Sequence, residues 1–171
     1  MKKVLLSLTV LICFLMIANR SMAQQAQSGD DYKAAVGLKF GAYEDGISFK
    51  WFASPSVSYE GLLGFRNHGV VVTGLYEINQ EAFNVPELKF YYGFGAHIGA
   101  EGRGYYDRVF GGTARYYSDG HLLLGADGVV GLEYLIPKSP IAVSLDLDPR
   151  IELATGPFFD IGPGLGVKYT F

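Results

Sequence analysis

From residue 32 onward the chain alternates: in segment after turn-bounded segment, one parity carries large apolar side chains and the other carries charges, serines and glycines. That is the period of β-strands with two unlike faces. Tyr32, Ala34, Val36, Leu38 and Phe40 alternate with Lys33, Ala35, Gly37, Lys39 and Gly41. After the turn signal Glu44-Asp45-Gly46, Ile47, Phe49 and Trp51 oppose Ser48 and Lys50; after Ser54-Pro55, Val57, Tyr59, Leu63 and Phe65 oppose Ser58, Glu60, Gly64 and Arg66. Asn67-His68-Gly69 is the next turn.

In the fourth segment two apolar sets compete, and grouping Val70, Val72, Tyr76 and Ile78 leaves Thr73 and Glu77 opposite. The fifth sets Leu88, Phe90, Tyr92, Phe94, Ala96, Ile98 and Ala100 against Glu87, Lys89, Tyr91, Gly93, Gly95, His97, Gly99 and Glu101. The sixth sets Leu122, Leu124, Ala126, Val130, Leu132 and Tyr134 against Gly125, Asp127, Gly131 and Glu133. Pro137-Lys138-Ser139-Pro140 then turns the chain. In the seventh, Ile141, Val143, Leu145, Leu147, Ile151 and Leu153 oppose Ser144, Asp146, Asp148, Arg150 and Glu152; in the eighth, Phe159, Ile161, Leu165, Val167, Tyr169 and Phe171 oppose Asp160, Gly162, Gly164, Gly166, Lys168 and Thr170.

No stretch after Ala23 carries a helical period of useful length, so the pattern predicts an all-β fold, a closed antiparallel barrel of eight strands over 32–171. An even count lets the first strand pair with the last and removes both sheet edges. Pro149 and Pro163 each remove a ladder donor and predict a bulge or local break.

Alternation does not say which face is outside, but volume does. A lumen of eight strands holds little more than side chains, and the apolar parity would overfill it. The barrel is therefore predicted to be inverted: apolar side chains meet acyl chains, and charges paired across the axis fill the interior, as in a transmembrane β-barrel. The predicted interior network comprises Lys39, Lys50, Glu60, Lys89, Asp127, Glu133, Asp146, Arg150, Glu152 and Lys168, with Lys33, Arg66, Glu87, Glu101, Asp148 and Asp160 on the same parity. Tyr32, Trp51, Tyr134, Tyr169 and Phe171 fall near strand ends, where interfacial aromatics belong. On this reading Phe94→Arg blocks assembly and Gly93→Ser is mild.

The N-terminus fits a chain bound for a membrane beyond the cytoplasm. Lys2 and Lys3 precede an apolar run from Val4 to Ala18, too short to span a bilayer, and Ser21-Met22-Ala23 forms a cleavage signal before Gln24. A signal peptide of residues 1–23 is expected, then a short segment, 24–31. Cys13, the one cysteine, leaves with it, so disulfides, thiolate metal sites and cysteine nucleophiles are excluded from the mature chain. Without Lys2, Lys3 and Arg20, 17 acidic side chains face 11 basic ones, and no basic cluster exists for nucleic acid.

Candidate chemistry is sparse. Asp146, Asp148 and Glu152 share a parity, but Arg150 lies among them and salt bridging is expected rather than metal. His121 with Ser118 and Asp119 is the nearest approach to a nucleophilic constellation, and a lipid-modifying enzyme is the first alternative to a non-enzymatic barrel. A narrow transport or secretion accessory is the second. No cofactor is expected.

The one long connection, Glu101 to Gly120, holds Arg103, Tyr105, Tyr106, Arg108, Arg115, Tyr116 and Tyr117, the aromatic and arginine content of binding surfaces. A protein or glycan partner is expected there. A two-residue turn at Gly111-Gly112 would pair residues summing to 223, whereas the flanking strands need an even sum, so the ladder must be interrupted between barrel and tip.

Over its mature length the chain resembles the small eight-stranded outer-membrane barrels of the OmpA and OmpX type. The carrying element is Val167-Lys168-Tyr169-Thr170-Phe171, in which Val167, Tyr169 and the final Phe171 resemble the terminal-strand signal read by the outer-membrane assembly machinery. The resemblance implies residence among outer-membrane lipids, with the long connection outside the cell. No peptidoglycan-binding domain is expected after the barrel.

Overall fold

The structure is a computed structural model describing residues 32–66, 68–106, 115–154 and 158–171; the expected signal peptide and segment 24–31 lie outside these. Ten strands occur in chain order: β1 (Ala34–Gly41), β2 (Asp45–Ser54), β3 (Val57–Arg66), β4 (Gly69–Ala82), β5 (Val85–Glu101), β6 (Gly104–Tyr106), β7 (Arg115–Tyr117), β8 (His121–Leu135), β9 (Ile141–Glu152) and β10 (Phe158–Thr170). Eight of them close a barrel in the order β1-β10-β9-β8-β5-β4-β3-β2, every pair antiparallel, and β6 with β7 forms a separate two-stranded hairpin. The seam joins β1 to β10, with Ala35 opposite Thr170 and Gly41 opposite Gly164. Three short connections, 55–56, 83–84 and 136–140, lie at the end that also holds Ala34 and Thr170; the described residues 42–44, 68, 102–103, 118–120 and 153–154 lie at the other, the loop end.

The orientation of the faces is inverted relative to a water-soluble barrel. Val36, Leu38, Phe40, Ile47, Phe49, Trp51, Leu63, Phe65, Val72, Ile98, Leu124, Leu145, Phe159 and Val167 all point outward, and Phe94 is 67% exposed. The buried interior instead holds Lys39, Lys50, Glu60, Glu77, His97, Asp127, Glu133, Arg150, Glu152, Asp160 and Lys168. The ambiguous fourth segment resolves with Val70 and Val72 outward and Thr73 and Glu77 inward; the competing Val71 and Leu75 join the interior as apolar filler.

Three expectations are corrected. Tyr32 does not join an outer aromatic girdle: the strand begins at Ala34, and Tyr32 turns inward so that its hydroxyl donates to Glu133, while Lys33 is left exposed. Trp51, Tyr134 and Phe171 do lie outward, all at the end opposite the loops.

Second, of the two prolines expected to bring a bulge or local break, Pro149 does so and Pro163 does not. Between β8 and β9 the pairs Asp127 with Arg150 and Val130 with Leu147 flank an unpaired stretch opposite Pro149, yet the register is the same on both sides. Pro163 lies one residue past the last β1 to β10 pair, where no ladder donor is needed, and its carbonyl accepts from Ala42 N at 3.0 Å.

Third, the inward glycines do not all make room for side chains. A Cβ on Gly93 would collide with the Tyr76 carbonyl oxygen, so this glycine is required by close backbone approach and Gly93→Ser is not mild. Gly164 does serve the anticipated purpose, since a Cβ there would strike the side chains of Asp146 and Lys39, whereas at Gly131 a Cβ would strike Tyr91 and Asp146 and also the Leu145 carbonyl oxygen.

Candidate functional site

Two features carry the molecule's polar and exposed aromatic chemistry: the ion-pair network inside the barrel and the hairpin at the loop end.

Near the end opposite the loops, Lys50, fully buried on β2, lies 3.1 Å from Glu77 and 3.5 Å from Glu133, and Lys168 on β10 lies 3.0 Å from Glu60 and 3.4 Å from Glu133. These contacts connect five strands through two ammonium groups. Ser48 donates to Glu60, and Ser58 donates to Glu77 at 2.9 Å, so the carboxylates use remaining lone pairs as well. Midway, Lys39 bridges Asp146 and Asp148, each at 3.2 Å, and the Tyr91 hydroxyl donates to Asp146 at 2.5 Å. Lys89 is half-buried, with its ammonium 4.9 Å from the Phe52 ring centre and 5.8 Å from that of Tyr32, a cation–π placement.

Toward the loop end, Arg150 donates to Asp127 at 2.6 Å and through both terminal nitrogens to Glu44 at 2.8 and 3.0 Å. Glu44 also accepts from Arg66 at 2.7 Å. His97 lies between two carboxylates, Nδ1 2.8 Å from Asp127 and Nε2 3.0 Å from Glu152. The carboxylates of β9 thus pair with residues from other strands, Asp146 and Asp148 with Lys39 and Glu152 with His97, rather than with their neighbour Arg150.

Glu44 was missed by the sequence reading, which treats Glu44-Asp45-Gly46 as an exposed turn. The connection 42–44 folds back over the mouth, leaving Glu44 only 6% exposed. Burial alone would raise its carboxyl pKa, but the hydrogen bonds and charge of Arg150 and the charge of Arg66 outweigh that and hold it down at about 2. Nothing in the sequence pattern singled it out, since Glu101, Asp127, Glu152 and Asp160 already offer inward carboxylates to Arg66 and Arg150 at that end. Beneath Glu44 is a cavity of about 20 Å³ lined by Lys39, Tyr43, Thr73, Asp127, Asp148 and Arg150, room for about one water.

The hairpin is anchored on one face and open on the other. Tyr117 stacks on His121 at 4.0 Å between ring centres and packs on the buried cluster Val71, Leu123 and Phe158. Tyr105 and Tyr116 are direct cross-strand partners with ring centres 5.0 Å apart, and Tyr105 is 72% exposed. Arg103 is exposed beside them. The barrel ladder of β5 and β8 pairs residues summing to 222, Glu101 with His121, whereas the hairpin pairs residues summing to 221, Gly104 with Tyr117; the interruption demanded by parity therefore falls at 102–103 and 118–120. Arg108 and the hairpin tip lie outside the described residues, as do the side chains of Tyr106 and Arg115.

Ser118 donates to Asp119 at 3.0 Å, and neither ring nitrogen of His121 is hydrogen-bonded, so these three residues are not arranged as a nucleophile and base. Among the described residues no group of three or more His, Cys, Asp or Glu side chains is arranged to hold a metal. At the C-terminus, Val167 and Phe171 point outward and Tyr169 is half-buried on the same face.

Fold and site together define a class: a closed eight-stranded antiparallel barrel, apolar outside and ion-paired within. No protein-family model matches the chain, and no curated protein matches it. Among solved structures, the crystal structure of Neisserial surface protein A (NspA) is similar at 13% sequence identity and a TM-score of 0.44, covering 81% of this chain and 93% of that one.

Proposed function

We infer that the protein is an integral outer-membrane barrel, delivered by a cleaved signal peptide, whose lumen is closed by its own charges and whose role is structural or interaction-mediating through the loop 101–120. One observation carries the membrane reading: large apolar side chains cover the outer face of every barrel strand while ion pairs occupy the interior. In water that arrangement exposes apolar surface at a cost; in hydrocarbon the apolar face is matched to its solvent, the charges are kept from lipid and paired inside, and a closed barrel leaves no unpaired backbone edge. The lumen reading is supported by Lys39, Lys50, Arg150 and Lys168, each of which meets at least one carboxylate inside the barrel. The interaction reading is supported by the exposed Tyr105 and Tyr116 pair beside the half-buried Tyr117 anchor, and its partner is a protein or glycan surface. Assembly through Val167, Tyr169 and Phe171 by the outer-membrane machinery belongs to the same reading.

The test is reconstitution of the chain lacking 1–23 into phospholipid vesicles, followed by flotation and planar-bilayer recording. Flotation without stable conductance is the expected result; stable open steps would overturn the closed lumen, and failure to float would overturn the membrane reading.

A further inference from the structure

Gly61 and Gly74 are direct partners across β3 and β4, both on the outward parity. They differ from the other described strand glycines in one respect: a Cβ built on either meets nothing within 4 Å. At the other described glycines of the barrel strands a Cβ would stand within 3.0 Å of a neighbouring backbone or side-chain atom, so the molecule itself accounts for those glycines. Nothing inside it accounts for these two, and glycine in a strand interior weakens the strand unless something approaches closely from outside.

The space they leave is a groove of about 520 Å³ on the outer face. Its wall on the side away from the loops is an unbroken aromatic row across four strands. Trp51 stacks on Tyr59 at 6.0 Å, Tyr59 meets Tyr76 edge-on at 5.6 Å, and Tyr76 meets Phe94 at 5.6 Å. Phe49 also lines the groove, and the next outward pair toward the loops, Leu63 with Val72, two residues further along β3 and back along β4, flanks the two glycines on the other side. The walls stand four residues apart along each strand, about 13 Å between backbones, and side chains lean in from both. A helix with its side chains, about 10–12 Å across, does not seat there; a single methylene chain does.

We propose that this groove binds one acyl chain of a glycerophospholipid. The aromatic wall carries the polar tips, the indole N–H and two phenol hydroxyls, that favour the headgroup boundary. The Leu63 and Val72 wall has none. The lipid therefore enters from the leaflet at the end opposite the loops, with its chain running toward Gly61 and Gly74. This rests on the membrane reading above, and its test must separate the two.

Trp51 is the only tryptophan and lines the groove, so it reports occupancy. The protein is reconstituted in phosphatidylcholine vesicles containing increasing fractions of the same lipid brominated on its acyl chains, and quenching is read relative to unbrominated vesicles. Wild type is expected to show roughly twofold more quenching at each brominated fraction than Gly61→Leu/Gly74→Leu, because a chain lying in the groove rests against Trp51 and leucines that fill the groove keep it away. Gly61→Ala/Gly74→Ala should fall between them and serves if the leucine pair does not assemble. Coincident curves for floating wild type and variants would overturn the groove while leaving the membrane reading intact. Efficient disulfide formation between copies of Gly61→Cys would overturn it in favour of a second copy. Failure of wild type to float would overturn the membrane reading itself.

Discussion

Gly125 on β8 lies directly opposite His97 on β5, and a Cβ on Gly125 would stand 2.5 Å from the imidazole Cε1 and 3.0 Å from Nε2. The imidazole occupies the volume the missing side chain leaves, and its clamp between Asp127 and Glu152 depends on that vacancy. Gly125→Val should therefore abolish the compact, heat-resistant form on unboiled gels. The same Cβ would also collide with the Ile151 carbonyl oxygen, so adding His97→Ala should not rescue assembly. Rescue would show that imidazole crowding alone requires the glycine.

Phe94→Arg places a guanidinium on the outer face at a position 67% exposed, at a cost of about 2–4 kcal/mol near a bilayer midplane. Assembly into vesicles should fall sharply. Gly61→Ala, equally outward and with open space around it, should assemble as wild type, and Gly93→Ser should fail because of the Tyr76 carbonyl. Assembly yield measured side by side checks all three, and equal yields would refute the face assignment.

Glu44 makes stability depend on acid in a definite direction. Its folded carboxyl titrates at about 2 against an ordinary 4.5, so the stabilisation is complete above the ordinary value and is lost as pH falls through the folded one. Linkage puts it at about 3 kcal/mol at neutral pH. Glu44→Gln should lower the thermal midpoint in detergent at pH 7, and the gap to wild type should shrink as pH approaches 2. A gap independent of pH would show that the Arg66 and Arg150 pairs do not stabilise the mouth.

Within the hairpin, Tyr105 and Tyr116 stand clear of the barrel while Tyr117 is packed on Val71, Leu123 and Phe158. Tyr105→Ser with Tyr116→Ser should leave the thermal midpoint unchanged; Tyr117→Ser should lower it. The reverse ranking would mean that the exposed pair is structural.

The strands were legible because alternation is strict wherever one face is apolar throughout, as from Leu88 to Ala100, where a register slip would invert every side chain. The hairpin's interruption was legible from the parity of residue numbers alone. Most of the lumen charges were legible as a set, since they share the inward parity, but their pairing was not: which carboxylate Lys39 meets depends on the stagger between β1 and β9, which pair through β10 and not with each other. Tyr32 and Glu44 escaped because both precede a strand, where alternation no longer fixes direction and a turn sequence reads as solvent-exposed. The role of Gly93 escaped because the close approach of two backbones is a property of sheet coiling, to which composition is blind.

The seam between β1 and β10 unites segments more than a hundred residues apart, and every other barrel strand lies between them in sequence. No closed lumen, and none of the cross-axis pairs to Lys168, can exist before β10 is in place. Closure is thus the most non-local event in folding and should be slow. Until then, a chain with greasy strand faces and unpaired edges has to be shielded from its neighbours while in transit.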